Sequence, residues 1–331
     1  MRRLIFDTAN VLYRVSAAQG KFNPSGTPEE RAGLAMHVAL NTFLKYTKKY
    51  QPDQIAVTFE GGQNWRKDYT RSPACLSGKV YKANRVKDPS MEPFFELIKA
   101  FEDLARKHTS LVCLSNPKLE GDDLFAGYVQ RFVAQGDEVI GVSGDRDFVQ
   151  LLKHPNFQLI NPDSGKPRSV LEVCGIDDPD FFMFEKGMRG DKGDNVFPAY
   201  PRVLKKRLLK CMEDDYELTK LMNETWTCTD PDTQQVTEYR VGDLFNENIL
   251  LMDLEGQPPE IKGLIKQTLD HELVHHGEWN FFKFTAFCGK YGLKQIAENA
   301  QQFAKMFNVT GQRSPHREET AAAKKKELLE Y

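Results

Sequence analysis

Four short apolar runs fix the architecture open to this chain: RLIF near the N-terminus, IAVTF at 55–59, LVCL at 111–114 and EVIGV at 138–142. Runs of this length suit strands buried on both faces better than helices. Helical spacing of apolar residues separates them, at about 29–49, 91–107 and 119–135. Thr27-Pro28-Glu29-Glu30 opens the first of these helices with capping-box spacing and proline at the first helical position. Such alternation predicts an α/β fold, a mostly parallel central sheet with helices on both faces, whose ligands gather at the C-terminal strand ends.

Carboxylates fall on that edge. Asp7 follows the first run directly and Glu60 ends the second. LEGDD at 119–123 supplies Glu120, Asp122 and Asp123, SGDRD at 143–147 supplies Asp145 and Asp147, and RGDKGD at 189–194 supplies Asp191 and Asp194. Glu120 and Asp123 share one helix face, while Asp122 points aside but stays in the first turn, where the partly positive helix N-terminus tolerates acids. One such cluster is an ordinary charged helix start. Several on one sheet edge repel one another unless cations sit among them, and hard oxygen donors suit divalent magnesium or manganese better than zinc.

The 331 residues suffice for a main domain with an appendage. The six cysteines are isolated, with no CxxC pair, which fits a reduced cytosolic protein. The N-terminus has too short an apolar stretch for a signal peptide, and no run approaches transmembrane length, so a soluble protein that is not exported is expected. The formal charge is −2. Because so many acids sit in the clusters, the remainder is net positive and able to hold a polyanion.

Residues 61–90 are rich in lysine, arginine and tyrosine and have little apolar periodicity, too long and polar for an ordinary connector. After 195 the pattern is helical, with basic VLKKRLLK at 203–210 and a polar, strand-like insert near 226–241 whose TDPDT is expected to turn. The tail at 310–331 has no core-forming stripe and is expected to be flexible or to fold on a partner. Three parts are therefore expected: a core over 1–195, a helical region over 196–309, and the tail.

The pieces FDTANVLYR at 6–14, VYKANR at 80–85, LEGDD, SGDRDF and RGDKGDN resemble, in order and spacing, the flap endonuclease and 5′-exonuclease superfamily, and within it the phage ribonuclease H branch. Similarity continues in ENILLMDLEG and FFKFTAFCGKYGLKQI. The resemblance implies a PIN-like nuclease core with a helical arch over the site. It implies two magnesium ions, one among Asp7, Glu60, Glu120, Asp122 and Asp123, the other among Asp145, Asp147, Asp191 and Asp194, with Asp122 able to bridge. Asp122 and Asp145 would then be central to catalysis. Lys82 would act on the reactive phosphate and Arg85 position it, and Arg66, Lys67, Lys79 and Tyr81 would meet nucleic acid from the same segment. Trp65 and Tyr69 would stack on bases or pack the arch. Implied substrates are RNA–DNA hybrids and branched or nicked DNA, cut by a monomer during phage-type replication in a bacterial cytoplasm. A sliding clamp or single-strand-binding protein is the partner expected for the tail.

Two positions depart from that pattern. Glu60 stands where the family has aspartate, one methylene shorter. The glycine-rich hairpin that binds duplex backbone is replaced by NVFPAYPRVLKKRLLK, so duplex binding is expected to rest on Arg202, Lys205, Lys206 and Arg207. A rival motif, His271-Glu272-Leu273-Val274-His275, matches the HExxH zinc-peptidase pattern, with surface or packing histidines as the plainer reading. The alternative in another class is a non-catalytic DNA-binding scaffold, against which the full set of acids weighs.

Overall fold

The computed structural model describes residues 1–22, 26–86, 88–229 and 234–309. The chain opens with β1 (Arg2–Asp7), passes without a loop into α1 (Thr8–Phe22), and continues through α2 (Pro28–Tyr50) to β2 (Gln54–Thr58). Asp7 ends the strand and caps the helix, accepting the Asn10 N–H at 3.0 Å, which orphan helix N–H groups require. The expected capping box is present at the start of α2, where Thr27 and Glu30 cap reciprocally. The basic segment holds only a short helix, α3 (Trp65–Arg71), before α4 (Glu92–His108) leads to β3 (Val112–Leu114). Then follow α5 (Gly121–Val133), β4 (Glu138–Val142) and β5 (Phe157–Ile160).

These strands form one parallel sheet in the order β3-β2-β1-β4-β5. Alternate residues face opposite layers, as the pleat requires. Leu4, Phe6, Ile55 and Val57 pack with α2 and α4, while Ile5, Ala56, Val112 and Val139 pack with α5. In register, Asp7 lies beside Thr58, and Phe6 beside Val142. The acids that follow those residues therefore emerge level with one another on one edge.

Beyond the sheet lie α6 (Val170–Cys174), α7 (Pro179–Arg189), α8 (Lys205–Glu213) and α9 (Asp215–Asn223). The polar insert is an antiparallel hairpin, β6 (Thr225–Thr229) and β7 (Val236–Arg240). Four of the five residues of the expected TDPDT turn, 230–233, lie outside the described residues. The helices α10 (Val241–Met252), α11 (Pro259–Glu272), α12 (Phe281–Lys290), α13 (Lys294–Glu298) and α14 (Gln301–Phe307) close the fold. Of these, α12 and α14 pack on the α2 and α4 layer, whereas α11 packs on α5. The tail lies outside the described residues, among which no helix is long and apolar enough to cross a membrane. The six cysteines are free thiols.

Candidate functional site

Register brings the acids to one edge, but the structure divides them by the cations that face them. Asp7 is buried, held by the Ser143 hydroxyl at 2.7 Å and the Asn10 N–H. Burial, together with repulsion from Asp145, pushes its carboxyl up to about 6. Glu60 accepts the Gly121 N–H at 3.3 Å. Burial, then the charges of Glu120 and Asp7, raise it to about 7. Its extra methylene spans the gap from the end of β2 to the start of α5. Asp122 lies well above the usual carboxylate range, through burial and then through Asp145, Asp7 and Glu60. Mutual repulsion of this kind shows that these four side chains share one field. Among the described residues, none of the four has an ion-pair partner.

Asp145 also organises its own loop, taking the Asp147 N–H at 2.8 Å while Ser143 takes the Asp145 N–H at 3.0 Å. Asp147 leaves the shared field toward Lys186 of α7, whose ammonium pairs with it and lies 3.3 Å from Asp191. Burial, then Asp145, raise Asp147, an effect that Lys186 limits. Burial pushes Asp191 up as well, but Lys186 and the N–H groups of Gly193 and Asp194 outweigh it and hold that carboxyl below the usual range. Lys186 was not foreseen. Its sequence signal is a lone lysine in the apolar stretch FFMFEKGM.

Asp123 corrects an expectation. It has no exposed surface, and Arg66 grips both its oxygens at 2.7 and 2.9 Å while the Trp65 indole donates to it at 3.1 Å. Burial would raise its carboxyl, but Arg66, the Glu120 N–H and the Trp65 indole together outweigh burial and hold it low. Asp123 is thus the buried end of an ion pair, not a free ligand. The same contacts correct Arg66, expected on nucleic acid: it is 1% exposed, and it also reaches Glu120 at 3.1 Å and the Leu251 carbonyl at 2.7 Å. Trp65 is buried with its indole on Asp123, and Tyr69 packs within the 61–90 segment near Glu247.

Arch residues descend onto the acids. Gly61, Gln63 and Trp65 donate backbone N–H groups to Leu119, Pro117 and Lys118, which straps the outgoing limb to the loop before LEGDD. A Cβ at Gly61 would fall 2.2 Å from the Asn116 carbonyl, so only glycine allows that approach. Glu247 of α10, a second unforeseen residue, is 4% exposed and accepts the N–H groups of Leu76 and Ser77. The returning limb turns at Lys82, whose φ is +55° and whose N–H meets the Asp194 carbonyl at 2.8 Å.

Tyr81, expected on nucleic acid, is instead 4% exposed beside Val196, Leu251 and Met252. Its hydroxyl donates toward Glu120 at 3.1 Å and Asp194 at 2.9 Å. Burial, then Glu120, push that phenol well above its ordinary range, so it stays protonated and acts as a donor. The Lys82 ammonium pairs with Glu120 and lies 3.9 Å from Asp194, and Arg85 reaches Asp194 at 2.5 Å. Lys67 is half-buried and Lys79 exposed. Among the described residues, no three Asp, Glu, His or Cys side chains are drawn into a closed metal cage.

Away from the edge, the expected basic row is partly spent inside the protein. Lys205 bonds the Cys174 carbonyl and Arg207 pairs with Glu224. Arg202 and Lys206 stay exposed, Arg202 with φ +58° in a turn without glycine. Glu272 of the rival zinc-peptidase pattern is buried on Arg106, and α11 ends there, before His275, although the pattern needs both histidines on one helix.

Residues 2–175 match the family model described as the 5′–3′ exonuclease, N-terminal resolvase-like domain. The ribonuclease H of Enterobacteria phage T4 is 23% identical over 302 residues, which cover 83% of this chain and 89% of that one. DNA polymerase I of Rhizobium leguminosarum is 31% identical over 178 residues, 52% of this chain but only 16% of the polymerase. Among solved structures, a bacteriophage T5 flap endonuclease variant, in a pseudo-enzyme–product complex with DNA and metal ions, superimposes with a TM-score of 0.54 at 16% identity. That alignment spans 82% of this chain and 99% of the T5 chain. Since the family model covers more than half of its length, the chain belongs to the 5′–3′ exonuclease family with an N-terminal resolvase-like domain.

Proposed function

We propose that this protein is a divalent-metal-dependent 5′-nuclease that removes RNA primers and 5′ flaps by phosphodiester hydrolysis, as phage-type lagging-strand replication requires. One observation carries the reading: among the described residues, Asp7, Glu60, Asp122 and Asp145 share one field on the sheet edge without an ion-pair partner, with the Lys82 charge close enough to act on Glu60 and Asp122. The donor set fits hard cations, because it is all carboxylate oxygen, and burial followed by mutual repulsion raises the proton affinities of Asp7, Glu60 and Asp122. Asp7, Glu60, Asp122 and Asp145 would hold magnesium, with Glu120 and Asp194 adjoining. Bound there, such ions make a water nucleophilic at neutral pH and neutralise charge on the phosphate.

The chain's own groups do the rest. Lys82 and Arg85 supply positive charge where the phosphate approaches, and a cation fixed in place favours the more highly charged transition state over the ground state. Tyr81 holds Glu120 and Asp194 by donation. Arg66 fixes the start of α5, and so the direction of Asp122, by holding Asp123 and Glu120 from below. Glu247 keeps the arch base in place so that Lys82 reaches the edge.

The test is cleavage of 5′-labelled flaps and primer hybrids with magnesium or with EDTA, sized at the first product. The reading expects cuts near the 5′ end that need the metal. Binding without metal-dependent cleavage on any of these substrates would favour the scaffold alternative.

A further inference from the structure

On the opposite flank of the edge from the arch, three arginines gather around one backbone position. Gly144 follows Ser143 and has its N–H fixed by the Asn10 side chain at 2.8 Å. Arg14 of α1 lies across it, so closely that a Cβ added at Gly144 would fall 1.7 Å from Arg14 Nη1. A side chain at 144 would displace that guanidinium. Arg168, between β5 and α6, donates from Nη2 to the Gly144 carbonyl at 3.0 Å. Its Nε is buried with no hydrogen-bond partner among the described residues. Arg146, two residues beyond Gly144, is exposed.

Charge is only partly balanced there. Arg14 pairs with Asp163, whereas Arg146 and Arg168 have no ion pair among the described residues. Burial, then the like charges of Arg14 and Arg146, hold the Arg168 guanidinium below its ordinary range, against the weaker opposing pull of Glu172 and Asp145. Guanidinium groups crowded in this way are stabilised by an anion that bridges them, and their planar forks match the oxygens of a phosphate.

We infer that Arg14, Arg146 and Arg168 form a phosphate-binding cluster that holds a backbone phosphodiester of the nucleic-acid strand next to the one being cut. The strand order supplies the direction. The arch follows β2, on one side of β1, while Gly144 follows β4 and Arg168 follows β5, on the other. A strand that passes beneath Lys82 and crosses the acids therefore arrives at the arginines, and is held at both ends of the reacting phosphate. The inference rests on the nuclease reading, to which it adds a second grip.

The experiment measures binding of a 5′-flap oligonucleotide over a salt series, with calcium in place of magnesium, for wild type, R146Q and R146Q/R168Q. Arg146 is exposed, so R146Q keeps the fold, and thermal melting checks the double variant. R168K serves as the conservative control, since it keeps the charge. The expected result is binding weakened about tenfold in the double variant, with a salt slope shallower by about 0.7 to 0.9 for each phosphate no longer neutralised, and partial retention in R168K. Inorganic phosphate, titrated as competitor, should displace oligonucleotide more readily from wild type than from the double variant. Unchanged affinity and slope in a folded double variant would overturn the cluster, as would equal displacement by inorganic phosphate. Magnesium-dependent cleavage by the same wild-type protein separates the two failures. Cleavage with an unchanged slope rejects only the cluster, whereas binding with no cleavage of any 5′-ended substrate rejects the nuclease reading.

Discussion

Asp122 and Asp123 are neighbours in sequence and opposites in the fold. Asp123 faces inward, gripped by Arg66 and Trp65, and burial that would raise its carboxyl is outweighed by these donors together with the Glu120 N–H. Asp122 faces the edge with no ion-pair partner among the described residues, and burial, then the charges of Asp145, Asp7 and Glu60, raise its proton affinity. The same residue type in the same helix turn is thus a structural anchor in one case and a candidate metal ligand in the other. The difference separates acids that the chain itself neutralises from acids that stand as candidates for a divalent ion. Asp147 and Asp191 lie between these extremes, since Lys186 pairs with both.

The sharpest way to break the comparison is to neutralise each neighbour in turn. Asp122→Asn should reduce single-turnover cleavage by on the order of a thousandfold or more, about 4 kcal/mol of transition-state stabilisation, while DNA binding stays intact or tightens. Asp145→Asn should behave alike. Asp123→Asn should instead destabilise the fold by about 3 kcal/mol, because it leaves the buried Arg66 charge with only the more distant Glu120 as carboxylate partner. Denaturant unfolding distinguishes the two. Equal stability loss in both variants would erase the distinction.

Lys82→Ala probes the cation over the edge. Turnover should fall by about a hundredfold or more, with affinity changed far less and a salt slope reduced by about one counterion. An unchanged single-turnover rate with weaker binding would make Lys82 a positioning residue only.

Much of this was legible in the sequence, and what was missed has a physical cause. Strand runs and the Thr27 capping box are local signals, as is the spacing of acids at strand ends. Helix α1 was not expected because Asp7 serves as strand end and helix cap at once. The strand β5 was missed because FQLI offers only four residues, one of them exposed. Arg66 and Tyr81 sit in a polar, basic segment, which argues for solvent. Their burial is decided by Asp123, Glu120 and Asp194, up to 113 residues away. Lys186 and Glu247 belong to the site only through contacts with distant loops, which no local pattern records.

A smaller effect concerns pH. Asp7 at about 6 and Glu60 at about 7 lie above their ordinary values of 3.8 and 4.5. The folded state therefore keeps protons that the unfolded state has already lost, and metal-free stability should fall as pH rises from about 4 through 7. Magnesium reverses the sign, since metal requires the deprotonated acids. The melting-temperature gain on adding magnesium should be larger at pH 8 than at pH 5.5, and a gain independent of pH would count against these two ligands.

The most direct measurement is manganese binding, followed by electron paramagnetic resonance in the absence of nucleic acid, for wild type, Asp122→Asn and folded Asp123→Asn. Wild type should bind at pH 8 and weaken by about tenfold or more at pH 5.5. Asp122→Asn should lose that binding, and Asp123→Asn should retain it. Retained binding in Asp122→Asn with loss in Asp123→Asn, or no binding by any of the three, would contradict the assignment of metal to the acids that the protein leaves unpaired.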